Sequence, residues 1–378
     1  MTNSVHIHDR AHPFAARAIT NQRLNQGNSE KDTLHIVFDL KGSGIAFQPG
    51  DSLGVFPRNP PHLVEELLQK LHLDGNAPVP QLNGKNSSLR EALTGGYILN
   101  RANKRFVKAL AQKLPQAAPL NTSEEKLGEY IFTRDYVDIL NEHPDARFTP
   151  EELFALLTPI SPRLYSIASS QSKHPDEAHL VVSLVSYTTH GRLKYGLASG
   201  YLAKHIPIGE TAPIFIQHHR YFHLPEDNSR DIIMVGSGTG VAPYRAFLQQ
   251  REMDGAKGRN WLFFGDRRQA EDFLYREEWE ALQKKGVLTR MDTAFSRDQA
   301  HKIYVQDRLR ERGKELWQWI QNGAYFYVCG DAKNMAKDVH QALIDIVTKE
   351  GSLTPDAAAD YVNVTLMKEE SRYLRDIY

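Results

Sequence analysis

The chain has 378 residues, enough for two or three domains with real cores, and its 41% apolar and 24% charged content is that of a globular protein rather than a disordered or membrane one. Lys+Arg and Asp+Glu both number 46, so the formal net charge is zero, which argues against a nucleic-acid binder held by bulk charge and leaves room for local phosphate pockets. With one cysteine, Cys329, the chain can form neither an intrachain disulfide framework nor a Cys-ligated cluster, and a reducing cytosol is its natural setting.

No apolar run approaches the ~18 residues of a membrane span, and the N-terminus lacks the apolar centre of a signal peptide. His6, His8 and His12 sit close together there and read as a solvated terminus rather than a metal tail. Residues 14–56 read as β. Positions 33–40 are rich in β-branched and apolar residues, and Pro49-Gly50-Asp51 and 57–61 are turn signals. From about 62 to 157 the spacing turns helical, at 63–71, 106–111 and 151–157, the last after a Pro suited to a first helical position. This block carries no evident catalytic constellation.

The β texture returns from 163 to about 224. After Pro225, short apolar runs at 232–235, 261–264 and 325–328 alternate with helical stretches, the pattern of a parallel sheet covered on both faces. The expected division is 1–61 with 158–226, an inserted helical segment 62–157, and an α/β domain 227–378.

Three segments carry chemistry. Residues 163–170 place a cation, Arg163, an aromatic ring, Tyr165, and a cluster of hydroxyls beginning at Ser166 in one short run. A flavin dinucleotide needs a charge for its pyrophosphate, a flat partner for its ring and a hydrogen bond near N5. Residues 236–243 follow a strand and open a helix, where glycines and free N–H groups suit a pyrophosphate. The usual dinucleotide fingerprint wants a third glycine where Val241 stands, and no Walker lysine follows. Further on, Arg297 and Lys302 flank a loop at the expected C-terminal edge of a strand, where open α/β sheets bind ligands. Guanidinium plus ammonium suits a phosphate monoester, and Tyr304 could stack on adenine. A ribose 2′-phosphate there would mean NADPH rather than NADH.

In this order, these motifs together with 196–199 and 329–331 resemble the ferredoxin–NADP⁺ reductase superfamily, in its diflavin branch with a helical connecting insert. The likeness runs from about Asn28 to Tyr378. It implies an α+β part followed by an α/β part: an antiparallel FAD-binding β-barrel carrying the insert, then a Rossmann-like parallel-sheet NADPH domain. The FAD-domain signature arrives by Asn28, which leaves no room for a preceding flavodoxin domain. FAD and NADPH are therefore the expected cofactors, with no FMN in this chain and no metal.

By the same resemblance, Arg163, Leu164, Tyr165 and Ser166 bind FAD, as do Gly196, Leu197, Ala198 and Ser199 at a second pyrophosphate contact. Val181, Val182, Ser183 and Tyr187 fall on a strand beside it, although Val181 and Val182 also suit a core. Tyr378 would stack on the other flavin face, which nicotinamide needs, so its ring must swing aside. Ser166, Cys329 and Asp376 would lie along the hydride path, with Cys329 positioning nicotinamide rather than acting as a nucleophile. NADPH contacts fall on Gly238, Thr239, Gly240, Ser296, Arg297, Lys302, Ile303, Tyr304, Val305, Gln306 and Asp338, the last equally suited to a helix cap or ion pair.

The implied activity is NADPH oxidation at FAD, with single electrons passed to a separate acceptor: a flavodoxin-like FMN protein or a siroheme sulfite reductase subunit. A stand-alone ferredoxin or flavodoxin reductase, or diaphorase, would use the same motifs, because acceptor choice lies in surface complementarity. A subunit that merely docks partners would not need them. Neither a membrane nor a nucleic-acid partner is expected, and the setting is cytoplasmic.

Overall fold

The computed structural model describes residues 8–80, 86–120 and 122–378; His6 lies outside them. Two compact units divide the chain, one comprising Met1–Gly54, Leu164–Ser183 and Ile214–Tyr378, the other Val55–Arg163 and Leu184–Pro213.

The first unit begins with antiparallel strands. Phe14–Arg23 pairs with Thr33–Asp39, which pairs in turn with Glu177–Ser183 in the registers Ala18↔Phe38 and Leu34↔Val182. Alternation in the first of these is plain: Ala16 and Ala18 are buried while Arg17 and Ile19 face out. These belong to a six-stranded sheet that also takes in Ser52–Val55, Arg163–Ser166 and Thr211–Gln217. The turn before Ser52–Val55 needs its glycine: Gly50 has φ +105°, and a Cβ there would stand 1.8 Å from the Phe222 carbonyl oxygen. Asp51 beside it is fully buried and accepts from the backbone N–H groups of Gln48 and His219 at 3.0 and 2.9 Å.

Five parallel strands follow in the same unit, ordered Arg290–Phe295, Asn260–Asp266, Ile232–Ser237, Tyr325–Gly330 and Tyr373–Ile377. Their apolar runs are continuous because both faces are covered. Ile233, Val235, Trp261 and Phe263 pack with the helices Val305–Glu311 and Met335–Glu350, whereas Ile232, Met234, Leu262 and Phe264 pack with Ala242–Met253. The chain leaves Ile232–Ser237 for one side of the sheet and returns on the other with Tyr325–Gly330. This reversal opens a crevice at the carboxyl ends of the strands, where such sheets take ligands. The antiparallel-then-parallel architecture is the one the sequence implied.

The second unit is a helical cluster whose core includes Leu67, Leu93, Phe106, Tyr136, Ile139 and Leu153. Five of its helix starts are capped by side chains: Ser88, Asn103, Ser123, Asp135 and Thr149 each accept an N–H from the first turn. Pro150 occupies the first turn of Pro150–Leu156, as the sequence suggested. The hairpin Ser186–Thr189 with Arg192–Tyr195 belongs to the same unit and is tied in by Arg192, whose Nη1 reaches Asp135 at 2.8 Å and Asp138 at 3.0 Å.

Candidate functional site

Strand Ile232–Ser237 runs into the turn Gly238–Val241 and the helix Ala242–Met253. The three glycines of this turn answer to different demands. Gly236 and Gly240 are required by packing: a Cβ on Gly240 would stand 2.2 Å from the Cys329 carbonyl oxygen, and one on Gly236 2.8 Å from the Gly240 oxygen. Gly238 is required by conformation, at φ +54°, and it borders a cavity of about 760 Å³. That volume lies in the range of small-molecule sites.

Ser183, Gly238, Thr239, Ser296, Tyr304 and Val305 line this cavity, together with Gln306, Asp338 and Tyr378. Gln306 donates its Nε2 to Asp338 at 3.2 Å, which makes Asp338 a wall residue and not the cap of its own helix. Gly240, Arg297, Lys302 and Ile303 are not among the lining residues. Lys302 is exposed, and Arg297 is engaged by Glu30, Nη1 to Oε2 at 2.6 Å.

Sequence reasoning missed several lining residues, chiefly Lys31, Thr33, Asp266, Asp331 and Asn334. Lys31 lies in the segment joining the first two strands, and its Nζ meets Asp266 at 2.6 Å. The Asp266 side chain is 1% exposed, and burial raises its carboxyl above the ordinary value despite the opposing pull of Lys31. Asp331 closes the 329–331 motif, and its place after Tyr325–Gly330 brings it to this wall.

Two buried polar atoms in the wall, Asp266 Oδ2 and Gln306 Oε1, have no hydrogen-bond partner within the protein. Buried polar atoms are ordinarily paired. Two unmet polar atoms, a glycine turn and a helix start around one cavity fit a nucleotide.

Beside it, Ser166 Oγ donates to Asp376 Oδ2 at 2.6 Å, and the Cys329 thiol points to the same oxygen at 3.8 Å. Cys329 and Asp376 are register partners on neighbouring parallel strands, which brings the thiol to the carboxylate. Burial pushes the Cys329 thiol far up, and the adjacent Asp376 carboxylate adds to the shift. This is an inert thiol, not an activated nucleophile.

Tyr378 is pinned rather than frayed. Its N–H donates to the Gly330 carbonyl at 3.1 Å, its carbonyl accepts from Ala332 N–H at 3.1 Å, and its phenol lies 2.9 Å from Thr239 Oγ1. Its half-exposed ring forms part of the cavity wall.

The remaining predicted residues fall on three further elements and a hairpin. Arg163, Leu164, Tyr165 and Ser166 form one short strand, with Arg163 and Leu164 exposed. Val181 and Val182 are buried core residues, whereas Ser183 at the end of that strand reaches the nucleotide cavity. In the second unit, Tyr187 faces out of the hairpin opposite Lys194. Gly196 caps the turn Leu197–Gly200, which includes Ala198 and Ser199. The Ser199 hydroxyl accepts from Val185 N–H at 3.2 Å, and a Cβ on Gly196 would stand 2.9 Å from that hydroxyl. The Cα of Gly196 is thus bare by necessity of local packing.

An FAD-binding domain model matches residues 6–201. The chain belongs to that FAD binding domain family. An oxidoreductase NAD-binding domain model matches residues 234–341, so this FAD binding domain is followed by a nicotinamide-dinucleotide module. Among curated relatives, the chain is 44% identical over 373 residues to the sulfite reductase [NADPH] flavoprotein alpha-component of Mannheimia succiniciproducens, covering 98% of this chain and 62% of that protein. It is 44% identical to the Vibrio vulnificus protein of the same name, over 98% of this chain and 60% of the relative. With the Yersinia pestis protein it shares 45% identity over 100% of this chain and 62% of the relative. The chain therefore spans 60–62% of the length of these relatives. Among the described residues, no helix is long and apolar enough to cross a membrane.

Elsewhere in the first unit, His174, Glu177 and His179 bring potential ligand atoms within 4.8 Å of one another. Arg245 Nη1 lies 3.1 Å from His179 Nδ1 and supplies the proton of that bond, so the hydrogen of the neutral ring sits on Nε2 and is accepted by Glu177 at 2.8 Å. Both ring nitrogens of His179 are thereby committed within the protein.

Proposed function

We propose that this chain oxidises NADPH at a bound FAD and passes the electrons to a separate acceptor, as the reductase module of assimilatory sulfite reduction. The observation that carries the reading is the Ser166–Asp376 hydrogen bond at 2.6 Å, with Cys329 on the same carboxylate. It joins a hydroxyl of the FAD-domain strand to a carboxylate of the nicotinamide-domain sheet. Bound FAD would supply the chemistry proper, accepting a hydride and releasing electrons singly.

The chain's residues supply binding and electrostatics. Arg163 would neutralise the FAD pyrophosphate, with Gly196, Leu197, Ala198 and Ser199 as a second contact, and Tyr165 would cover one face of the flavin ring. Ser166 would hydrogen-bond near N5, while Asp376 would stabilise the positive charge that develops on nicotinamide. Cys329, buried and protonated, would hold nicotinamide in place without reacting. Tyr378 would occupy the nicotinamide position until the dinucleotide displaces its ring. Gly238 and Thr239 would meet the pyrophosphate of NADPH, and Ser296, Arg297, Lys302, Tyr304 and Gln306 its phosphorylated adenosine.

The acceptor would be a siroheme sulfite reductase subunit or a flavodoxin-like FMN protein, in a reducing cytosol. Relatives bearing the sulfite reductase name support this choice. Cofactor extraction and activity assays test it. The purified chain is expected to be yellow, to release FAD, and to reduce ferricyanide with NADPH but sulfite only when a partner is added. A chain that never takes up FAD would overturn the reading.

A further inference from the structure

Glu30 carries one carboxylate among three guanidinium groups. Its Oε2 lies 2.6 Å from Arg297 Nη1 and 3.1 Å from Arg267 Nη1, and its Oε1 lies 3.5 Å from Arg268 Nη1. Glu271 also pairs with Arg268, at 3.7 Å, while Asp272 and Asp298 accept backbone N–H groups of the same turn, from Arg268 at 3.1 Å and Gln269 at 2.9 Å. Among the described residues, the ion pairs of these three guanidinium groups go to two carboxylates, Glu30 and Glu271, and Arg297 and Arg267 pair with Glu30.

The cluster adjoins the nucleotide cavity. Arg267 and Arg268 directly follow the strand ending at Asp266, and Arg297 follows Ser296. The two turns are laced together, Ser296 N–H to Asp266 carbonyl at 3.0 Å and Arg297 N–H to Arg267 carbonyl at 2.8 Å. Asp266 and Ser296 are themselves cavity wall.

Glu30 does not reach this place by a chance rotamer. Its segment is anchored on both sides: Gln26 N–H donates to the Glu271 carbonyl at 2.7 Å, Ser29 Oγ bonds Asp272, and Lys31 Nζ bonds Asp266 at 2.6 Å. The fold delivers a carboxylate to a cluster otherwise built for an anion.

We propose that Glu30 is a resident counter-anion that competes with the ligand's 2′-phosphate for Arg297, Arg267 and Arg268, and so sets how tightly the cavity takes a phosphorylated nucleotide. The proposal rests on reading this cavity as the NADPH site. A phosphate monoester carries more charge and more acceptor oxygens than a carboxylate, so it displaces Glu30 from the guanidinium fork at a cost in affinity. Glu30 keeps the arginines paired when the cavity holds no phosphate, and it penalises anions too weak to displace it.

The test is calorimetric titration of the FAD-loaded protein with adenosine 2′,5′-bisphosphate and, separately, with 5′-AMP, at low and high salt. Glu30→Gln is expected to tighten the bisphosphate roughly threefold to tenfold at low salt and less at high salt, leaving 5′-AMP unchanged. In an Arg297→Ala background the gain from Glu30→Gln should shrink, because the contested partner is gone. An equal change for both ligands, or weaker bisphosphate binding in Glu30→Gln, would show that Glu30 merely orders the loop and would overturn the proposal. If the unaltered protein binds the two ligands equally, the 2′-phosphate reading itself fails and this proposal with it.

Discussion

The Ser166 hydroxyl donates to the Asp376 carboxylate at 2.6 Å, across a sequence separation of 210 residues. If the pair serves hydride transfer, Ser166→Ala and Asp376→Asn should each slow flavin bleaching by NADPH about 10–100-fold, with NADP⁺ affinity nearly unchanged. Stopped-flow absorbance measures the first quantity and equilibrium titration the second. A loss of thermal stability with an intact bleaching rate would make the bond a structural strut.

Tyr378 is tied to Gly330 by its backbone and to Thr239 by its phenol. Tyr378→Ala keeps the backbone bonds and removes the ring. NADH-driven ferricyanide reduction should rise by roughly tenfold or more in kcat/KM, because a weakly held nicotinamide no longer competes with the ring. An unchanged NADPH-to-NADH ratio would remove the gating role.

Arg297 stands among the arginines beside the nucleotide cavity. Arg297→Ala should raise KM for NADPH about 10–100-fold while NADH is little affected, since only NADPH carries the 2′-phosphate. Parallel losses for both would refute the assignment.

Cys329 is fully buried, and burial followed by the Asp376 charge drives its thiol well above the ordinary value. The native protein should therefore leave an aromatic disulfide reagent unreacted at neutral pH and consume one equivalent after denaturation. Rapid native modification would contradict the inert assignment.

His35 and His179 have pKa values lowered to about 3, chiefly by burial and then by the Arg245 charge, from an ordinary 6.5. Between those values the unfolded chain binds protons that the folded chain refuses, so this contribution is complete above pH 6.5 and declines as pH falls. Each histidine adds at most about 1.4 kcal/mol per pH unit to the slope. Melting curves between pH 7 and about 4.5 should show Tm falling, and His35→Gln should flatten that fall. An equally steep profile in the variant would place the acid sensitivity elsewhere.

The parts of this protein that depend on local pattern were legible before any coordinates. Continuous apolar runs at 232–235, 261–264 and 325–328, alternating with helical stretches, pointed to strands covered on both faces, and they are. The strand–glycine turn–helix at 232–253 was readable as such, and Tyr378 as more than a frayed tail. Reading why each residue is there was harder. Gly240, expected at a cofactor, also has its Cα kept bare by the Cys329 carbonyl behind it. Ser183, expected beside the flavin, lines the cavity bordered by Gly238 and Thr239.

Lys31, Asp266 and Glu30 escaped because their partners lie 235 to 267 residues away, and no local periodicity reports such a meeting. The sequence by itself determined the element types, the cofactor motifs and their order, since these follow from side-chain period and backbone freedom within a few residues. Only the tertiary structure decided which charges meet: a loop between two early strands sets a lysine on a buried aspartate and a glutamate among three arginines. Charge pairing depends on distance in space, and the parallel sheet and its crevice fix that distance after the local elements have formed.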